Sequence, residues 1–303
     1  MMKRLVTSAA FASMPLYWRR RAMRAYWWTE CLTGRADRFG LRPVFRSVLR
    51  LPDEDAARLD REIAYHDLIG AAEWASLLRR SRSQIHRDTD RTTIRDRGLL
   101  DRLARSRQPV ILAPLHMGCF ALPFARIMHD HFIDRSMLIL RAREDLPQET
   151  AAMRRISEIG IEMRFLNVRD KQNYVDAVRF ARAGAVIVSF VDLPASYGGP
   201  APVKLFGRDA RLAMGIGSLA RLTEATVVPL AVRSSMAGDV VDFGRPFQSL
   251  ESGPDEKARV ADLVRRHIET SVLAHPEQWH MWSRFDEFLA PPGPGAASDR
   301  PSA

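Results

Sequence analysis

Four short β-rich runs, at residues 109–115, 137–140, 186–191 and 226–232, alternate with helical stretches, and each ends at a polar residue. Runs of this length separated by helices predict an α/β fold with a mostly parallel or mixed central sheet, flanked by helices and preceded by a helical N-terminal region. The terminating residues are His116, Arg141, Asp192 and Arg233. In such a sheet, functional groups gather where the carboxyl ends of the strands open into loops, because the strand interiors are buried. If the strands are co-directional, an imidazole, a carboxylate and two guanidinium groups share one rim. A reversed strand would remove its residue from the set.

The helical texture before the first run begins at Leu51-Pro52-Asp53-Glu54-Asp55, where a proline and acids suit a first turn, and residues 53–106 read as mainly helical. Further helices are expected at 173–183, 212–222 and 255–274, the last with Val260, Leu263, Val264, Ile268 and Val272 on one face. Residues 289–303, rich in Pro, Gly, Ala and Ser, lack core-forming periodicity and are expected to be disordered. The organisation predicted is a basic, aromatic segment (1–50), an α/β domain (51–288) and this tail. No apolar run approaches the roughly 20 residues that span a bilayer. The two cysteines, Cys31 and Cys119, fit a reducing compartment and exclude a disulfide scaffold.

Charge is unevenly placed. The chain carries a net +10, and residues 1–50 hold eleven Lys or Arg against only Glu30 and Asp37. Tyr17, Trp18, Tyr26, Trp27 and Trp28 lie among Arg19, Arg20, Arg21 and Arg24. Aromatic rings favour the headgroup level of a bilayer, and each nearby cation gains about 1 kcal/mol at an anionic leaflet. A helix over residues 14–33 lying on a membrane surface is therefore expected, with Tyr17, Trp18, Arg19, Arg20, Arg21, Arg24, Trp27 and Trp28 as its contacts. The alternatives are a helix docked on the protein's own core, or a single-stranded nucleic-acid contact, for which no recognised module is present. Leu5 to Leu16 is too interrupted by Thr7, Ser8, Ser13 and Pro15 for a cleavable signal peptide.

His116 stands at a strand-to-helix turn, with Gly118 permitting close backbone approach and a helix able to begin near Ala121. Structural roles compete for Arg141 and Arg233, since polar residues commonly open loops. His129-Asp130-His131 lacks metal-ligand spacing, and no metal or other cofactor is expected. Cys119 beside His116 raises a Cys–His hydrolase as an alternative, although a Cys next to Phe120 suits a small buried apolar side chain.

Val110-Ile111-Leu112-Ala113-Pro114-Leu115-His116-Met117-Gly118 resembles the histidine block of the bacterial lipid A biosynthesis lauroyl/myristoyl acyltransferase family, within the lysophospholipid acyltransferase superfamily. Leu140-Arg141-Ala142, the stretch from Gly184 to Asp192, Val203-Lys204-Leu205-Phe206-Gly207, Leu219-Ala220-Arg221, Val227-Val228-Pro229 and Pro276-Glu277-Gln278-Trp279 with Trp282 and Arg284-Phe285 follow in the family's order. The resemblance implies acyl transfer from acyl carrier protein or coenzyme A to a hydroxyl of a lipid or glycolipid at the cytoplasmic face of the inner membrane. His116 would be the general base, with Arg141 or the N–H groups of Gly118 and Cys119 receiving the oxyanion, and Lys204 and Arg233 as further substrate-binding candidates. One position departs from the family: its motif places an acid five residues after the histidine, and here Ala121 stands there. Either Asp192 orients His116 instead, or the protein is a catalytically impaired homologue that binds a lipid or carrier.

Overall fold

The computed structural model describes residues 8–34, 39–141, 147–158 and 161–290. Helices α1 (Ala9–Ser13), α2 (Leu16–Leu32), α3 (Arg42–Val48), α4 (Asp53–Leu77) and α5 (Arg82–Thr89) precede strand β1 (Thr92–Ile94) and helix α6 (Arg97–Ser106). The chain continues through β2 (Val110–Pro114), α7 (Ala121–His131), β3 (Met137–Arg141), α8 (Pro147–Ser157), β4 (Met163–Asn167), α9 (Lys171–Arg182) and β5 (Val186–Val188). A hairpin of β6 (Pro200–Leu205) and β7 (Arg208–Ala213) leads to α10 (Gly215–Thr223), β8 (Thr226–Ser234), β9 (Asp239–Phe243) and α11 (Pro254–Ala274). Short 3-10 turns at Pro276–Gln278 and Trp282–Phe288 follow. Helix α4 starts as its sequence dictates, with Pro52 at the cap and Asp53, Glu54 and Asp55 in the first turn, against the positive end of the helix dipole.

The main sheet has the order β1-β9-β8-β2-β5-β3-β4. Its pairings are parallel except β8 with β9. Strands β2, β3, β5 and β8 therefore run the same way, and the four polar residues that terminate the β-rich runs lie toward one edge. Although β5 ends at Val188, the next residues still bond to β2, Ser189 N–H to Leu112 O and Val191 N–H to Pro114 O, which carries Asp192 alongside His116.

Alternation along the strands divides the core into two faces. Ile111, Ala113, Leu138, Ile187 and Val227 pack with α9, α10, α11 and the C-terminal aromatic residues Trp279, Trp282 and Phe285. Val110, Leu112, Met137, Ile139, Val186 and Val228 pack under α6, α7 and α8. The N-terminal helices join this body directly, since Phe11, Met23 and Trp27 bury against Ala64, Tyr65, Ile69 and Ala72 of α4.

Several expectations are corrected. Residues 212–213 belong to β7, not to a helix from 212; Phe206 and Gly207 both have positive φ (49° and 77°), the geometry of a two-residue hairpin turn, and α10 starts only at Gly215. Strands β1, β4 and β9 lie at or near the sheet's ends and do not read as β-rich runs, β1 because it has only three residues, β4 and β9 because Arg164, Asp239 and Asp242 interrupt their apolar pattern. The expected tail begins too early: Leu289 bridges Ala210, and Ala290 N–H donates to Asp209 O. The rest of that tail, residues 291–303, lies outside the described residues.

Candidate active site

His116 leaves the end of β2 on a tight turn held from two sides. Gly118 N–H donates to Gln278 O, His280 N–H donates to His116 O, and Met117 bridges Trp279. The Gln278 side chain accepts from Ser234 N–H and donates to Ser234 O, tying the C-terminal segment to the end of β8. Gly118 has φ +62°, and a Cβ there would stand 2.5 Å from Val232 O. Only glycine fits, because both the conformation and the close approach exclude a side chain.

Asp192 is fully buried and accepts three hydrogen bonds. His116 N–H (2.7 Å) and the Trp279 indole N–H (2.8 Å) reach Oδ2, while His116 Nδ1 lies 2.8 Å from Oδ1. With the carboxylate ionised, Nδ1 carries the proton and donates it to Oδ1. Phe190 stacks on the imidazole, with ring centroids 4.0 Å apart and planes 24° apart. The imidazole is held by a carboxylate at one nitrogen and an aromatic ring on one face, yet keeps 29% of its side-chain surface exposed.

It opens into a cavity of about 710 Å³ over the carboxyl edge of the sheet. Residues from both core faces wall this cavity: Phe124, Ile139 and Met153 on one side, Ile216, Leu219 and Met281 on the other. Arg141 reaches it from the end of β3, donating to Thr150 Oγ1 at 2.7 Å while its guanidinium lies over the Phe165 ring. Ala121 lines it as the first residue of α7. His280 lines it too, and burial pushes its imidazole below the ordinary histidine range, partly opposed by its bond to Gly118 O.

Gly118 and Cys119 also line this cavity, whereas Arg233 and Lys204 do not. The N–H groups of Gly118 and Cys119 are already donated, to Gln278 O and to Ser234 Oγ at 2.8 Å, so neither is a spare oxyanion donor. Burial pushes the Cys119 thiol up to about 12, the reverse of what a thiolate nucleophile needs. Arg233 lies near the end of β8, which runs in the right direction, but turns to Asp242 of β9 (2.8 Å), lining a second cavity with Arg95, Arg245 and Arg266. Lys204 is exposed on the β6–β7 hairpin and pairs with Asp209. His131 pairs with Asp101 and His129 with Asp130, on separate sides of α7's end.

The basic, aromatic helix α2 divides its residues between two faces. Tyr17, Trp18, Arg21 and Trp28 are exposed, continued by Leu32. Arg24 pairs with Glu62 and lies over the Tyr65 ring. Arg19, Arg20 and Trp27, by contrast, are buried, which corrects the expectation that they contact a membrane. Trp27 packs on Tyr65; Arg19 bonds to Glu73 and Asp88, and Arg20 to Asp239 and Ser235 O. Helical spacing places residues 16, 19, 20, 23 and 27 on one side, and composition alone does not tell which cations meet acids inside the fold.

Trp279, Phe190, Gln278 and Ser234 complete the site without having been singled out individually for it. Trp279 lies 163 residues from His116, within a stretch noted only for its family likeness, and Phe190 reads as an ordinary core residue of a β-rich run. The family model for bacterial lipid A biosynthesis acyltransferases matches residues 69–285, a span holding the His116 turn, Asp192 and Trp279. A comparison with curated proteins gives no match.

Proposed function

The chain belongs to the bacterial lipid A biosynthesis acyltransferase family, and from that premise we propose that it moves a fatty acyl chain from a thioester donor, acyl carrier protein or coenzyme A, to a hydroxyl of a lipid or glycolipid. The His116–Asp192 pair beside the cavity carries this reading. Asp192 engages Nδ1 and so leaves Nε2 as the nitrogen able to take a proton. The acceptor hydroxyl gives its proton to Nε2 as its oxygen attacks the thioester carbonyl, forming a tetrahedral oxyanion. Arg141 and the positive end of α7 line the same cavity and stabilise that charge. Collapse breaks the carbon–sulfur bond, the imidazolium returns the proton to the departing sulfur, and an ester and a thiol remain. Asp192 stabilises the imidazolium in between.

Attachment to the cytoplasmic face of the inner membrane is part of the same proposal. Among the described residues no helix is long and apolar enough to cross a membrane. The exposed stripe of Tyr17, Trp18, Arg21 and Trp28 supports peripheral contact through residues 1–50, with the α/β domain beyond it. Ala121, standing where the family has an acid, favours a second reading in which the protein binds a lipid or carrier with little turnover.

Mass spectrometry of membrane lipids from cells with the wild-type protein, with His116→Ala and without either separates the two. An acylated lipid present only with the wild type supports transfer. Identical lipid profiles in all three, with both proteins folded, would leave the binding reading.

A further inference from the structure

Residues 116, 117 and 118 alternate between two cavities. His116 and Gly118 line the catalytic one, whereas Met117 lines a second of about 670 Å³ that shares no residue with the first. Helix α11 forms one side of it with Leu263, Arg266, His267, Thr270, Ser271 and Ala274, a single stripe at helical spacing. Pro229, Ala231 and Arg233, every second residue of β8, line it from the sheet. Phe243 at the end of β9, Arg245 just beyond it and Arg95 just after β1 complete the trough. Met117 and Ala231 are buried at its base.

Its charge is one-sided. Four arginines line it against one carboxylate, Asp242, with His267 and His275 as the remaining titratable groups. Arg95 and Arg233 both approach Asp242 through Nε, at 3.1 and 2.8 Å, one on each oxygen. Arg266 likewise turns Nε to Asp262 (2.7 Å), a carboxylate that Arg265 also engages. Arg245 is exposed and, among the described residues, pairs with no carboxylate. Among those residues, then, the terminal amino groups of three guanidiniums and the whole of a fourth are left to donate to another acceptor.

We propose that this trough binds a small molecule carrying a phosphate monoester on an apolar or aromatic body, with the ester at the arginines and the body against Met117, Ala231, Phe243 and Leu263. A dianion matches the surplus of guanidinium charge better than a single carboxylate does, and the planar donor fork suits phosphate oxygens. Volume and lining, apolar surface with a few placed polar groups, are those of a small-molecule site. The trough lies behind the His116 turn, outside the catalytic cavity, so its occupant is distinct from the groups that react at His116. A nucleotide and a phosphatidic lipid share the required chemistry, and titration separates these two sources.

The test is isothermal titration calorimetry of the full-length protein, at one fixed salt concentration, with adenosine monophosphate, with monomeric dihexanoyl phosphatidic acid and with inorganic phosphate. At least one of the two esters should bind once per chain and at least tenfold more tightly than inorganic phosphate; binding of the first alone identifies a nucleotide source, of the second alone a lipid source, and of both a site that reads only the shared chemistry. Arg245→Glu and Arg95→Gln, both at exposed positions, should each weaken that ester by about tenfold or more, the worth of a charge-assisted hydrogen bond. Arg141→Gln, in the catalytic cavity, should leave it unchanged. Binding of neither ester, inorganic phosphate binding as tightly as the esters, affinity unmoved in both trough variants, or affinity lost with Arg141→Gln overturns the assignment. Should Arg95→Gln fail to fold because Asp242 loses a partner, Arg245→Glu, which breaks no ion pair, decides the matter.

Discussion

The His116 turn and the ion-pair cluster beneath α2 both seat carboxylates beside basic groups away from water, and they differ in what is left over. At the turn, Asp192 meets one imidazole nitrogen, a backbone N–H and an indole N–H, and the ring keeps a side open to the cavity. Beneath α2, Arg19, Arg20 and Arg80 face Glu73, Asp88 and Asp239, matched three to three and buried. Burial pushes the Glu73 carboxyl upward, but Arg19 and Arg20 more than offset it and hold it below the ordinary carboxylate range. Matched charges hold elements together, here α2 to α4, α5 and β9. A carboxylate whose partner retains a free nitrogen is arranged to move a proton.

The sharpest way to break this contrast is Asp192→Asn. Loss of the orienting carboxylate should lower turnover by about 10⁴-fold, with the protein still folded, as measured by initial rates on a thioester donor and the acceptor found by lipid analysis. An unchanged rate would sever Asp192 from catalysis. Next in size, Arg20→Met should cost about 3–5 kcal/mol of stability in urea unfolding, because Asp239 and Glu73 would be left as buried charges short of a partner. A loss within ordinary surface-mutation scatter would mean that the cluster does not hold α2 in place.

His66 lies on α4 between the two regions and sharpens the comparison through pH. Burial, helped by His280, Arg24 and Arg20, pushes its imidazole down to about 3. A histidine lowered on folding contributes stability that is fully present above its ordinary value near 6.5 and is lost as pH falls toward 3, because the unfolded chain takes up the proton first. Unfolding free energy should therefore drop across that window, and His66→Phe should flatten the drop. Equal slopes in the two proteins would contradict it. The smallest effect is expected from Cys119→Ser: with the thiol pushed up to about 12, transfer should stay within a few-fold of wild type. Abolished activity would favour the hydrolase alternative.

Much of this arrangement is legible in one dimension. The short, continuously apolar β-rich runs announce the sheet, in which they are buried at nearly every position, and the polar residue ending each run identifies His116, Arg141 and Asp192 before any contact is known. Arg233 shows the limit of that signal: it ends a co-directional strand, yet a side chain there can turn to either face, and Asp242 on the antiparallel neighbour draws it away. Helix α2 shows another limit. Its stretch of arginines looks uniform as text, while packing sends Arg19 and Arg20 inward to acids 53 or more residues away and leaves Arg21 outside.

What the sequence by itself determined was the α/β class, the family and the chemistry available at the strand ends, because these depend on local periodicity and on residue type. The tertiary structure alone decided that Asp192 reaches His116, that Trp279 returns to brace the carboxylate, that the Gly118 and Cys119 amides are already engaged, and which residues line the cavity. Each of these is a contact between distant segments, and such contacts follow from sheet order and side-chain direction, which local pattern does not encode.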